Sequence, residues 1–325
     1  MKIISKKIVS LSVLVFLCLS VFAQEDMLSL LDSDGGKKTH DKTIATFKDS
    51  KIINVQTTET VKKGTTSFNI SHRFGNIGVA SNGGGHTLYG LDNITDVRIG
   101  FDFGITDNLT LGIGRSKQGE LIDALAKYRI LSQTTDNHVP FSLAFYGCAG
   151  YNPQLPLQFY NGMAETLGFQ QKTEYRFSYV GQLIIARKFG WRLSLELLPT
   201  YMHRNFVVAN VNPANGAKET NDLMSIGGGA RFKISQRVAI IADYYYTFSE
   251  YRMNNPNKAF FSPLGLGIEI DTGGHIFHLT FTNCAGIIEN NYLPNTTDNW
   301  LKGGFKFGFN VSRVFNLGHK KVVKP

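Results

Sequence analysis

A serine hydroxyl becomes a useful nucleophile only beside a positioned base, and two places in this sequence bring the two residue types near each other. Ser81-Asn82-Gly83 lies in a Gly-rich loop with His86 close behind, where a lone imidazole reads most simply as a loop histidine. Ser71 and His72 are adjacent in an alternating segment, and neighbours on a strand face opposite ways, which spoils them as a dyad. The odd offset from His275 to His278 likewise puts those imidazoles on opposite faces, so they cannot be paired ligands on one wall. Asp96, Asp107 and Asp298 fall in turns and read as turn formers. No Cys/His spacing resembles a zinc site, and no catalytic residue, metal or cofactor is assigned.

The charged residues are more productive. Arg98, Asp102, Lys127, Arg129, Glu174, Arg176, Arg192, Glu196, Arg231, Lys233, Asp243, Glu269, Asp271, Lys302 and Lys306 fall in the phase opposite the apolar residues of alternating segments. With Arg73 and Asp123 they form a set of ten basic and seven acidic groups, a mild surplus of positive charge. Lining one interior, they would raise the local concentration of anions. The candidates for contact with a small polar solute are Arg73, Arg98, Asp102, Lys127, Arg129, Glu174, Arg176, Arg231, Lys233, Lys302 and Lys306. Charges inside a small barrel also pair as interior filling, so an open and a filled interior are both consistent with the pattern.

The elements that would position these charges are strands. Phe101-Asp102-Phe103-Gly104-Ile105, the turn Thr106-Asp107-Asn108, and Leu109-Thr110-Leu111-Gly112-Ile113 form an alternating hairpin with one apolar face. Twelve such segments begin near Ser67, Asn93, Leu109, Leu121, Val139, Thr173, Trp191, Leu223, Val238, Pro263, His275 and Leu301. Leu121 to Leu131 is ambiguous by composition, and its Lys127-Tyr128-Arg129-Ile130 end favours strand. Short breaks alternate with long polar ones, Lys117 to Glu120 alone being short where a long one is due. An even strand count with one trimmed and one elaborated end indicates an all-β, closed antiparallel transmembrane barrel with short periplasmic turns and long extracellular loops. A secreted sandwich also alternates, but it needs neither this asymmetry nor strands as long as Thr173 to Arg187. Gly100, Gly112, Gly227, Gly229, Gly265, Gly267 and Gly304 would leave room in the interior. Tyr146, Tyr151, Tyr201, Tyr246, Phe248 and Trp300 would form a girdle near the long-loop ends.

The beginning of the chain has the layout of a secretory signal: Lys2, Lys6 and Lys7, an apolar run from Ile8 to Val21, then Phe22-Ala23-Gln24. The run is shorter than the ~20 residues of a spanning helix. Cleavage after Ala23 divides the chain into 1–23, a leader or plug at 24–63, the barrel at 64–315 and a periplasmic tail at 316–325. Within the leader, Asp26 to Asp32 could form a short amphipathic turn, and Ile44 to Val61 has intermittent strand character. Formal charge is +9, falling to +6 without the three lysines of the signal region. With export and no Lys/Arg block, this points away from nucleic acid and towards outer-membrane lipid and lipopolysaccharide. Cys148 and Cys284 remain after cleavage, on strands far apart, and are expected to be free thiols.

His72-Arg73-Phe74-Gly75, Tyr89-Gly90-Leu91-Asp92-Asn93, the Arg98/Asp102 strand, Pro199-Thr200-Tyr201 and Asp271-Thr272-Gly273-Gly274-His275 resemble a family of exported Gram-negative β-barrels with no assigned function. That resemblance covers nearly the whole chain after the signal and implies an outer-membrane barrel without implying an activity. In size and strand count the chain also resembles outer-membrane phospholipase A, whose nucleophile stands in a His-x-Ser-Asn-Gly run. Val79 occupies the histidine position here, so a lipid hydrolase ranks behind two non-enzymatic expectations. The leading one is a passive or facilitating channel for small polar, mildly anion-biased solutes. The other is a non-conducting barrel whose loops bind a partner or ligand.

Overall fold

The structure is a computed structural model that describes residues 40–79, 83–154, 172–208 and 210–317. Alternation of apolar with polar or small residues gives twelve strands. They are β1 (Thr65–Asn76), β2 (Ile94–Gly104), β3 (Leu109–Ser116), β4 (Ile122–Leu131), β5 (Ser142–Tyr151) and β6 (Phe177–Phe189), then β7 (Leu193–Arg204), β8 (Asp222–Lys233), β9 (Val238–Phe248), β10 (Leu264–Asp271), β11 (His275–Thr282) and β12 (Lys306–Asn316). Each pairs antiparallel with its sequence neighbours, and β1 pairs with β12 from Thr65↔Asn316 to Asn76↔Lys306 with one register shift. Closure leaves no sheet edge, so every strand finds its backbone partners within the wall.

The side-chain period decides which face is which. In β2, Phe101 and Phe103 are 42% and 37% exposed, while Asp102 between them is 5% exposed. The same inversion runs around the barrel: Leu195, Leu197, Ile240, Leu266 and Ile268 point outwards, and Glu196, Ile241 and Glu269 are buried. In a soluble fold the exposed set would be an aggregation hazard. In a bilayer it is the surface that lipid covers. Among the described residues no helix is long and apolar enough to cross a membrane; the crossing belongs to the strands.

Three strands begin later than their alternation predicts. β6 starts at Phe177 because Thr173–Arg176 forms a 3-10 turn, and β12 starts at Lys306 because Trp300–Lys302 forms another. The Asn299 side chain accepts from Leu301 N to open the second turn, and Gly303 closes it at φ 75° with its Cα against Gly78. Period-2 alternation runs through both turns unbroken, which is why sequence alone extended the strands. β5 starts at Ser142, and β4 confirms the strand reading of Leu121 to Leu131.

The barrel's core lies inside it, built from two inserts. From the short-turn end, residues 47–58 enter with Phe47, Ile52, Ile53 and Val55 fully buried. From the other end the β11–β12 connection descends with Ile287, Ile288, Tyr292 and Leu293, the last two on α1 (Glu289–Asn295). The inserts meet: Lys51 Nζ donates to Ile287 O at 2.5 Å, Gln56 Nε2 to Glu289 Oε1 at 3.2 Å, and Tyr292 OH to Asn54 O at 3.0 Å. Cys148 and Cys284 are free and buried.

Candidate functional site

The lumen holds the 47–58 segment chiefly through its backbone. Arg73 Nη2 donates to Ile53 O (3.0 Å), Asn310 Nδ2 to Ile52 O (2.9 Å), and Lys127 Nζ to Ser50 O (2.6 Å). The Asp243 carboxylate accepts from Asn54 N (2.5 Å), Asn54 Nδ2 (2.9 Å) and Val55 N (3.1 Å). Ser312 Oγ donates to Asp49 Oδ2 at 2.6 Å. Nearer the short-turn mouth, Arg129 Nη2 donates to Thr60 Oγ1 (2.6 Å) and stands 3.7 Å from Glu59. Burial raises the Glu59 carboxyl above its ordinary range, with Arg129 pulling the other way. Burial also lowers the Lys51 ammonium, against the pull of Glu289.

Two wall glycines are needed for this fit. A Cβ on Gly229 would meet Glu196 Oε1 at 2.5 Å and Ile52 Cδ1 at 3.0 Å. One on Gly265 would meet Asp243 Oδ1 at 2.5 Å and Ile53 Cγ2 at 2.8 Å. Any larger residue there displaces either the carboxylate or the insert.

Several other interior charges pair across the wall, while the buried Glu196 carboxylate has no hydrogen-bond partner among the described residues. Arg98 binds Asp123 through two hydrogen bonds, Nε to Oδ1 at 2.9 Å and Nη2 to Oδ2 at 2.5 Å. Asp102 instead accepts from Asn69 Nδ2 at 2.8 Å. Arg231 Nε donates to Glu269 Oε1 at 2.8 Å, and Glu269 Oε2 lies 3.3 Å from the buried His278 Nε2. Lys306 donates to Asn76 Oδ1 at 2.7 Å and pairs with Asp298. Lys233 is half-buried at the end of β8.

Glu174, Arg176 and Lys302 stand on the 3-10 turns, beyond the strand walls, and Arg192 lies in the β6–β7 turn, its guanidinium 4.3 Å from the Trp191 ring. Without these four, the seventeen charges read from the sequence fall to seven basic and six acidic, and the expected surplus of three shrinks to one. Tyr146 is no girdle residue: it is fully buried, its hydroxyl donating to Glu289 at 3.4 Å. Asp96 and Asp298 are more than turn formers. Asp96 is buried in β2 and accepts from Gln118 N and Ile287 N, while Asp298 holds Lys306 and Asn76. His275 and His278 do face opposite ways, with His275 near Arg313 Nη1 at 3.2 Å. Ser81 and Asn82 lie outside the described residues, as do the signal region and Asp26 to Asp32; His86 is exposed.

Sequence reasoning missed Asn54, Asn310, Glu289 and Tyr292. The available signal was Ile287-Ile288 and Tyr292-Leu293, bulky apolar pairs that a solvated loop has no reason to carry.

The pairing has a measurable consequence. Asp123→Ala would leave the Arg98 guanidinium buried without its partner, at a cost of about 3–5 kcal/mol. Lys302→Ala, on an exposed turn, should change stability by no more than ~0.5 kcal/mol. Urea midpoints of the two variants in lipid vesicles check both.

A closed twelve-strand barrel with an apolar exterior and a charged, filled interior is a membrane barrel. The chain belongs to the family described as "Membrane bound beta barrel domain (DUF5777)", whose model matches residues 47–315 and therefore includes the luminal segment. Among solved structures it is similar to the NanC porin (8% identity, TM-score 0.45, 77% of this chain and 98% of that one). It is also similar to the KdgM porin (7%, 0.43, 77% and 99%). An outer membrane channel from Pseudomonas putida F1 is a third (12%, 0.43, 79% and 98%). A search of curated proteins found no match.

Proposed function

We propose that this chain is an outer-membrane barrel for small polar solutes whose own leader closes it at rest. The observation that carries this is the use made of the luminal cations: Arg73 and Lys127 donate to carbonyls of the 47–58 segment. Burying four apolar side chains stabilises the seated segment, and the entropy lost in ordering its twelve residues opposes that. Polar contacts at about 0.5–1.5 kcal/mol each then decide the outcome, and water can replace them when the segment leaves. On this reading 1–23 is a cleaved signal, 24–63 the closing leader, 64–315 the barrel and 316–325 a periplasmic tail. With near-equal numbers of basic and acidic groups on the wall, selectivity for anions would be slight.

A lock tests the idea. In a background lacking the two native thiols, Asp49→Cys with Ser312→Cys puts thiols on two residues whose side chains meet at 2.6 Å in the closed barrel. Single-channel openings should be present in the reduced protein, vanish on oxidation and return on reduction. Openings that persist in the fully cross-linked protein would mean that the leader does not gate the lumen. The loop-binding alternative is favoured by a separate observation, the cavity described next.

A further inference from the structure

At the long-connection end, above α1, a cavity of about 220 Å³ opens between the ends of β6 and β7, the β9–β10 connection and the helix. Arg176, Arg204, Arg252 and Lys258 line it, and Glu219 is the only acidic side chain in its described lining. Glu219 accepts from Arg204 at 2.5 Å and from Arg252 at 2.9 Å, so two guanidiniums share one carboxylate. Arg252 is 8% exposed and further held by Ser249 Oγ and Pro294 O, yet its Nε is buried without an acceptor, as is that of Arg204. Burial, and next to it the charge of Arg204, lower the Arg252 pKa against the pull of Glu219. Phe206, Val207 and Val208 supply an apolar side.

A purely structural cluster would match its charges, since burying an unmatched cation is costly. This one holds four cations against one carboxylate, and two of its guanidiniums each keep an Nε without an acceptor. The volume falls below the ~300–1,000 Å³ of pockets for drug-sized ligands. We propose that this cavity binds a small organic anion, a single carboxylate or phosphate attached to one ring or a short apolar group. The anion would sit among Arg176, Arg204, Arg252 and Lys258, with the apolar part against Phe206 and the two valines. Its floor is α1 rather than the outer wall, which favours a soluble anion over a lipid headgroup. Binding there is independent of conduction.

Calorimetric titration of phenyl phosphate into the full chain, in nanodiscs of phosphatidylcholine, tests it against inorganic phosphate and benzyl alcohol. Phenyl phosphate should bind one to one, about tenfold more tightly than phosphate, and more weakly as sodium chloride is raised. Benzyl alcohol should not bind. Lys258→Gln and Arg176→Gln, both at accessible positions, should each weaken phenyl phosphate binding roughly five- to tenfold, the loss of one charge-assisted contact. Glu219→Gln should strengthen it, a change of sign that a damaged scaffold would not give. Benzyl alcohol binding as well as phenyl phosphate, no anion binding, or unchanged affinity in the two cation variants would overturn the assignment.

Discussion

Deleting residues 24–63 should turn a barrel that opens only briefly into one that conducts steadily. The deletion removes Phe47, Ile52, Ile53 and Val55 from the lumen and releases Arg73, Lys127, Asp243 and Asn310 to water. It leaves the wall intact, because the described leader residues, 40–63, add no strand to the barrel: their links to the sheet are side-chain contacts, a few backbone hydrogen bonds and the isolated bridge Lys42↔Thr134. Closure through β1 and β12 starts at Thr65, after the deleted segment. The shortened protein should therefore keep the heat-modifiable gel mobility of a folded barrel. In planar bilayers its mean current should exceed that of the full chain by at least about tenfold, since ion passage through a filled lumen is limited by a constriction that the deletion removes. The β11–β12 insert stays in place, so conductance should remain well below that of an empty barrel of this size. Reversal potentials in a salt gradient should show only slight selectivity, given near-equal numbers of basic and acidic groups on the wall. If neither form conducts while both remain folded, the channel reading fails and loop-end binding becomes the function to pursue.

Why the wall was legible and its contents were not follows from periodicity. A strand with one face in lipid and one in a polar interior must alternate, so Val97/Ile99/Phe101/Phe103 and Leu193/Leu195/Leu197 announce both the element and its orientation. Residues 47–58 follow no period because they pack on all sides and give their backbone to side chains. Lys51-Ile52-Ile53-Asn54-Val55 reads as a strand, yet Asn310, Arg73 and Asp243 take the places that a neighbouring strand would fill. Partner choice among charges was hidden for the same reason. Alternation puts Arg98 and Asp102 on one face, four residues apart in the same strand, and suggests a pair. Only the β2–β3–β4 register brings Asp123 level with Gly114, and Gly114 level with Gly100, so that Arg98 reaches across β3 to a better acceptor on β4. Glu174, Arg176 and Lys302 keep the inward phase in sequence but sit on 3-10 turns, where the phase no longer reports direction.

The outer face of β2 yields the second large effect. Phe103 is 37% exposed on the apolar side, and Phe103→Arg would set a cation against hydrocarbon at a cost of ~2–4 kcal/mol near the midplane, less towards either interface. Asp102→Asn, one residue away and facing inwards, should assemble normally. Among the described residues its carboxylate accepts one side-chain hydrogen bond, from Asn69, and an amide oxygen can take the same bond. A charge on Phe103 would harm a packed protein core as well, so the lipid itself must report. With Phe101→Cys in the assembled barrel, the thiol should resist water-soluble maleimides and, once labelled with a small fluorophore, be quenched by nitroxides carried on acyl chains. The position is 42% exposed in the chain alone, so resistance to maleimide requires that something other than this protein cover it. Lipid does so in a bilayer; a second copy of the chain would shield the label from nitroxides as well. Rapid maleimide labelling, or protection from acyl-chain quenchers, would therefore show that the apolar face does not lie in lipid, and the membrane-spanning orientation of every strand in register with β2 would fall with it.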